Sequence, residues 1–358
     1  MNTPHPPFTC TFSPNIPELL YQLNCTLALT TYQAHKVVLL SAVNTENLVQ
    51  LPRNFEKAMG MAVEGERIAI ASKNEVTILA NSPSTAIAFP PSPNKYDSLY
   101  LPRATYYTGA LDLHDMAWGK EGLYAINTRF SCISLIDDHV SFRPIWQPYF
   151  ISELVPEDRC HLNGMAMKDG KPEFVSALGK ANVKEGWREN KLNGGVLMHV
   201  PSGEITVNGL AMPHSPRLYD GKLYALLSAT GEIICADPKT GKYDVVNKMQ
   251  GFVRGMAKYG DYLFIGLSKL RQNSSTFKDL PIAKNSVFAG IVVIYMPMGN
   301  IVGHIKYEAS VEEIYDVQVL PNMRRPGLLN TAKTEHQNAI ILPEDSFWLI
   351  NKEEDIIN

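Results

Sequence analysis

Three histidines, His114, His161 and His214, stand at or just before short motifs that recur in successive units of the chain. Three neutral imidazoles around a metal with one position left open form a catalytic arrangement for zinc, and imidazole also suits iron and copper. A divalent transition metal (zinc, iron or copper) on His114, His161 and His214 is therefore the expected cofactor. A carboxylate such as Asp115 or Asp158 would steady the second ring nitrogen. The competing reading makes the three histidines hydrogen-bonded channel residues that orient a ligand or one another. Their register differs by one or two residues, and a one-residue offset turns a strand side chain to the opposite face.

Arg254, between Val253 and Gly255, is placed to grip a carboxylate or phosphate, since a guanidinium offers a planar fork of donors. Arg217 and Arg188 are expected on the same face, and Arg271 is better read as a solvated ion pair. Asn163 and Ser215 add hydrogen-bonding groups at equivalent motif positions, and Trp187 beside Arg188 reads as a lid, a stacking wall or a loop anchor. Asp115 or Glu313 is the candidate general base and Tyr315 the candidate proton donor. Cys160 adjoins His161, but neighbours on a strand point to opposite faces, which argues against a Cys–His nucleophile. The sequence holds no P-loop, dinucleotide fingerprint, G-x-S-x-G, H-E-x-x-H or EF-hand loop.

What must position these residues is a repeat. Met59-Gly60-Met61-Ala62-Val63, His114-Asp115-Met116-Ala117-Trp118, Asn163-Gly164-Met165-Ala166-Met167, Ser215-Pro216-Arg217-Leu218-Tyr219, Arg254-Gly255-Met256-Ala257-Lys258 and Tyr315-Asp316-Val317-Gln318-Val319 recur in order. Their spacing averages about 50 residues, as in a four-stranded propeller blade. Each motif leads through a Gly-bearing turn to a second strand ending in a small polar residue: Ser72, Thr128, Ser176, Ser228 or Ser268. Third and fourth strands follow, joined by turns such as PSGE, PKTG and PMGN.

The sixth unit has only its first strand, and the N-terminal segments LALTTYQ, KVVLLSAV and NLVQLPR supply the missing three. The fold class expected is all-β, a six-bladed β-propeller closed by N-terminal strands pairing with the C-terminal strand. Such closure removes the open edges. Residues 1–26 read as an extension with a short helix over 13–24, capped by Ser13 with Pro14 first in the helix. The propeller spans residues 27–321, and residues 322–358, charged and without the repeat, read as a tail packed outside or partly disordered.

In such blades the connections from the fourth strand to the next first strand share one face with those from second to third. They include the long GKANVKEGWRENKLNGG and KLRQNSSTFKDLPIAKNSVFAG, whereas opposite-face turns such as KDGK, DGK and YGD are short. Long loops on a rigid scaffold carry function. The site is therefore expected at that mouth of the channel.

Composition narrows the function classes. The 358 residues carry a net charge of −3 and are 45% hydrophobic. Without a basic block or polybasic patch, neither nucleic acid nor a membrane surface is an expected partner. The N-terminus MNTPHPPFTC lacks a secretory pattern, and the five dispersed cysteines read as reduced thiols, so a cytoplasmic location is expected.

The segments EDRCHLNGMAM, MPHSPRLYDGKLYALLSATGE, GFVRGMAKYGDYLFIGLSKLR and VEEIYDVQVLP resemble a family of uncharacterised conserved bacterial proteins carrying a domain of unknown function, over residues 8 to 326 or so. The blade pattern is also loosely similar to six-bladed, calcium-dependent lactonases of the gluconolactonase type. In that group a carboxylate and asparagines hold the metal; here only Asn163 stands at a comparable place, and histidines and an arginine fill the others. The reading that follows is a polar site at the channel mouth of a metal-assisted enzyme acting on a small or peptide-borne anionic substrate. Its rival is a non-catalytic propeller that binds a ligand or a protein.

Overall fold

A computed structural model describes residues 5–270 and 277–349; Arg271 and residues 350–358 of the expected tail lie outside them. The chain forms six antiparallel sheets arranged as a six-bladed propeller. From the channel outward, the second blade runs Leu113–Gly119, Gly122–Asn127, Cys132–Leu135 and Arg143–Trp146. The third runs Leu162–Lys168, Lys171–Ala177, Gly195–His199 and Ile205–Leu210. The fourth and fifth repeat the order from Pro213–Tyr219 and from Phe252–Tyr259. In the last blade the innermost strand is Asp316–Pro321, and Cys25–Thr31, Lys36–Ala42 and Leu48–Asn54 follow it outward. Thr30 pairs with Asp316 and Leu27 with Val319, so the ring closes between the two ends of the chain as expected.

Strand periodicity explains the cores. Successive side chains alternate between the two faces of a sheet, and here both faces meet another blade. Leu27 and Leu29 pack with Phe264 and Ile291 of the fifth blade, while Ala28 between them packs with Met61 and Ile70 of the first. Similar clusters fill the other junctions. Strands buried on both faces read as near-continuous apolar runs, such as KVVLLSA.

The small polar residues that end the second strands clasp neighbouring blades. Thr30, Thr128, Ser228 and Ser268 donate through their hydroxyls to the carbonyls of Met59, Leu162, Val253 and Ile314, each on the next blade. Ser72 and Ser176, in the corresponding places of the first and third blades, make no such bond. Glycines bring the inner strands together: a Cβ on Gly60 would lie 2.9 Å from the Asp115 backbone, and one on Gly255 2.7 Å from the Val317 nitrogen.

The short helix is Ile16–Leu23, with Asn15 rather than Ser13 in the N-cap position and no side-chain cap hydrogen bond. Ser13 is drawn away because its hydroxyl bonds the His304 ring and its backbone nitrogen the His304 carbonyl. Two terminal segments cover outer edges: Cys10–Phe12 adds to the fifth blade and Pro326–Leu328 runs parallel to Ser98–Tyr107 of the first. Beyond it a hairpin of Ala339–Ile341 and Ser346–Trp348 places the Trp348 indole N–H on the Thr85 carbonyl. No helix among the described residues is long and apolar enough to cross a membrane.

Candidate functional site

The expected mouth holds a cavity of about 410 Å³. Its wall comes from connections on one face: Asp112 and His114, Asp158 and His161, Trp187 and Arg188, Arg254, Glu313 and Tyr315. A continuous arc of ring contacts runs through it. Trp187 and His161 have centroids 4.4 Å apart, His161 and His114 4.8 Å, and His114 and Tyr315 5.4 Å. The Arg254 guanidinium lies 4.4 Å over the Tyr315 ring.

The turns that aim the imidazoles share one device. Asp112 and Met212 adopt left-handed backbone conformations, and the carbonyl of each accepts a hydrogen bond from the Nδ1–H of the histidine two residues on, His114 at 2.8 Å and His214 at 2.9 Å. His214, not Ser215, is thus the counterpart of His114; Leu113 and Pro213 also pair alike with their second strands. His161 is itself left-handed, with φ 50°, and takes the place of Asp112 in the third blade. Its Nδ1–H meets the Asp158 carboxylate at 2.9 Å, and the Trp187 indole N–H donates to the same carboxylate at 3.0 Å. In each ring the proton on Nδ1 leaves a lone pair on Nε2.

Burial first, then the charges of His161 and Arg254, hold the His114 imidazole well below its ordinary pKa. Burial and Arg254 do the same to His214. Both rings are neutral at neutral pH. Burial raises the Tyr315 hydroxyl far above the usual phenol range, against the pull of Arg254, so it stays a donor. Arg254 is ion-paired to Glu313 through Nη1 at 3.0 Å and donates through Nη2 to His214 Nε2 at 3.4 Å. Its Nε–H and the Tyr315 hydroxyl are both buried and have no acceptor among the described residues.

The three histidines do not gather as a ligand set. His114 and His161 sit edge to face on the wall, but His214 is fully buried behind Arg254, and its remaining lone pair faces that permanent positive charge. Among the described residues no group of three or more His, Cys, Asp or Glu side chains is placed to hold a metal ion.

Four more of the sequence-derived residues, Asp115, Arg217, Ser215 and Asn163, lie off the mouth cavity. Asp115, the candidate base, grips Arg217 through both oxygens at 2.7 and 3.2 Å and accepts from the backbone nitrogens of Met116 and Met165. Asp316 does the same for the last blade, accepting from Val317 and Met61. Burial, then the Asp115 charge, push Asp316 up to about 6. This cluster in the channel separates the mouth from a smaller depression on the opposite side, lined by Asp115, Arg217 and Gln318. Ser215 has a left-handed backbone and accepts from the Gly255 nitrogen. Asn163 is buried, its amide nitrogen without a partner. The physical reason is shared: bulges within the inner strands shift register, so equal motif positions do not share an orientation.

The cysteine beside His161 is no nucleophile. Cys160 is fully buried, and its thiol is pushed up to about 12 by desolvation. Trp187 is an anchored wall: its indole bonds Asp158, and Arg188 stacks on its ring at 4.5 Å. Sequence reasoning passed over Asp112, Arg129, Tyr32 and Phe277, which also line the cavity. The one signal for Asp112 is an acidic residue two positions before a histidine that opens a strand.

A crystal structure of a nidogen/laminin complex is similar in fold, with a TM-score of 0.54 at 13% identity, covering 83% of this chain and 99% of that one. No curated protein matches the sequence. A protein-family model described as a domain of unknown function, DUF4915, matches residues 14–329.

Proposed function

The chain belongs to the DUF4915 family, and from that premise we propose that the channel mouth is a binding site for a small anionic ligand, gripped by Arg254 and Tyr315. The observation that carries this reading is the pair of buried donors, Arg254 Nε–H and the Tyr315 hydroxyl, that have no acceptor among the described residues and belong to stacked side chains. Buried polar groups are almost always satisfied, and an exception in a cavity calls for a partner from outside. An anionic oxygen suits both donors. Because Nη1 is held by Glu313 and Nη2 by His214, the grip uses Nε and the neighbouring hydroxyl rather than the two-pronged fork expected from an unpaired arginine. The cavity volume fits a ligand of metabolite size.

The metal-assisted form of the reading has no ligand set among the described residues to support it. The test is a calorimetric titration with inorganic phosphate and a series of small carboxylates. Saturable binding of at least one anion is expected, weakened roughly 10- to 100-fold in Arg254→Ala and in Tyr315→Phe, as for loss of a charge-assisted hydrogen bond. Binding unchanged in both variants, or absent throughout, overturns the proposal.

A further inference from the structure

We infer that the mouth is catalytic and performs proton transfer at carbon, with His161 as general base, on a small carbonyl compound that carries a carboxylate. The inference rests on the anion-binding reading of the same cavity. Asp158 and His161 form a dyad: the carboxylate takes the Nδ1–H at 2.9 and 3.0 Å, fixing the tautomer and leaving Nε2 without a partner among the described residues, on a wall of the cavity. The Trp187 indole holds the carboxylate in place at 3.0 Å. Both dyad residues have left-handed backbones, with φ 48° at Asp158 and 50° at His161, conformations that non-glycine residues keep where the surroundings demand them. A histidine so oriented by a carboxylate is the arrangement that presents a basic Nε2 to a substrate.

The rest of the wall selects the reaction. Among the described residues, none of the side chains lining the cavity is Ser, Thr or Cys. It does hold a donor suited to an oxygen that gains negative charge, the Tyr315 hydroxyl, and beside it Arg254 Nε–H for a carboxylate. In the step, His161 Nε2 takes a proton from the carbon next to the carbonyl. The C–H bonding pair becomes the C=C bond of an enolate, and the carbonyl π pair moves onto oxygen, where Tyr315 donates. Arg254 holds the carboxylate. The imidazolium then returns a proton to the carbon, so no oxidant, reductant or second substrate is consumed. Asp158 is a positioning residue, since it acts only through His161.

The experiment incubates the full chain with pyruvate, 2-oxobutyrate and 2-oxoglutarate in D2O. Proton NMR reads both binding, by saturation transfer, and loss of the proton next to the carbonyl. The expected result is exchange faster than in buffer for at least one compound that binds, reduced about 100-fold or more in His161→Gln with binding retained. In Asp158→Asn the exchange falls while binding persists, and the downfield resonance of the His161 Nδ1 proton shifts. Binding without exchange, or exchange that survives His161→Gln, overturns this inference and leaves the anion site standing. If none of the three compounds binds while phosphate or a simple carboxylate does, the carbonyl substrate class is wrong. If nothing binds, the anion reading fails with it.

Discussion

At the scale of single residues, the site turns on how the imidazoles of His114 and His214 are kept neutral. His114 and His214 are buried among other positive or potentially positive groups, so each has a folded-state pKa depressed below the unfolded value of about 6.5. The unfolded chain then binds more protons in mild acid, and stability rises with pH. Their contribution is fully present above about pH 6.5 and is lost as pH falls below it. Asp316 acts in the opposite sense. Its folded pKa of about 6 lies above the unfolded value of about 3.9, so its contribution is present below pH 4 and lost as pH rises through 6. Thermal melting from pH 7.5 to 4.5 therefore separates the two. Asp316→Asn should lose stability more steeply on acidification than the parent, and His214→Gln less steeply. Equal slopes in all three proteins contradict these assignments. The chemistry of this ring was legible in part: the motif starts at His114, Arg254 and Tyr315, and the adjacent His161, do line the cavity. Asp115, Ser215 and Arg217 do not, because bulges rotate side chains in ways that spacing alone does not encode.

At the scale of elements, the hydroxyls that end the second strands are joints between blades. Ser228 shares the His214 Nδ1–H with the Met212 carbonyl, accepting it at 2.8 Å, and donates to the Val253 carbonyl at 2.5 Å, and Ser268 bonds both the carbonyl and the nitrogen of Ile314. Replacing either by Ala strands buried backbone groups and should cost about 1–3 kcal/mol in urea unfolding. Ser72→Ala and Ser176→Ala remove hydroxyls without a partner and should cost less than about 0.5 kcal/mol. Similar losses at all four serines would show that the clasp has no energetic role. The sequence displayed these residues as a repeated ending but not their purpose, since the partner carbonyl belongs to another unit. The inner strands carry a second joint. Gly255 has φ 76° and sits against the last strand, so Gly255→Ala should destabilise by several times the ~1 kcal/mol of an ordinary surface glycine replacement, read in the same unfolding assay.

At the scale of the whole molecule, the architecture was the most legible feature, because burial of both faces of every blade imposes the same strand pattern six times. Closure followed from simple counting: one C-terminal strand and three N-terminal ones make a blade. Truncation tests it. A chain ending at residue 315 leaves Cys25–Thr31 without its inner partner and should show no cooperative melting by circular dichroism. One ending at residue 329 keeps every inner strand, loses the outer hairpin that rests on Thr85, and should melt cooperatively at a lower temperature. The helix cap and the hairpin were not legible, since both are decided by contacts with distant strands rather than by local sequence.

The ring is completed by a strand that begins at Asp316, directly after Tyr315 and close to Glu313. A ribosome must therefore pass residue 315 before the arginine at 254 can meet its stacking ring and its counter-ion. Nascent and prematurely terminated products carry most of the cavity wall yet cannot assemble it. On the proposed reading, ligand recognition requires synthesis past residue 315, and occupancy by a ligand would in turn hold residues distant in the chain together.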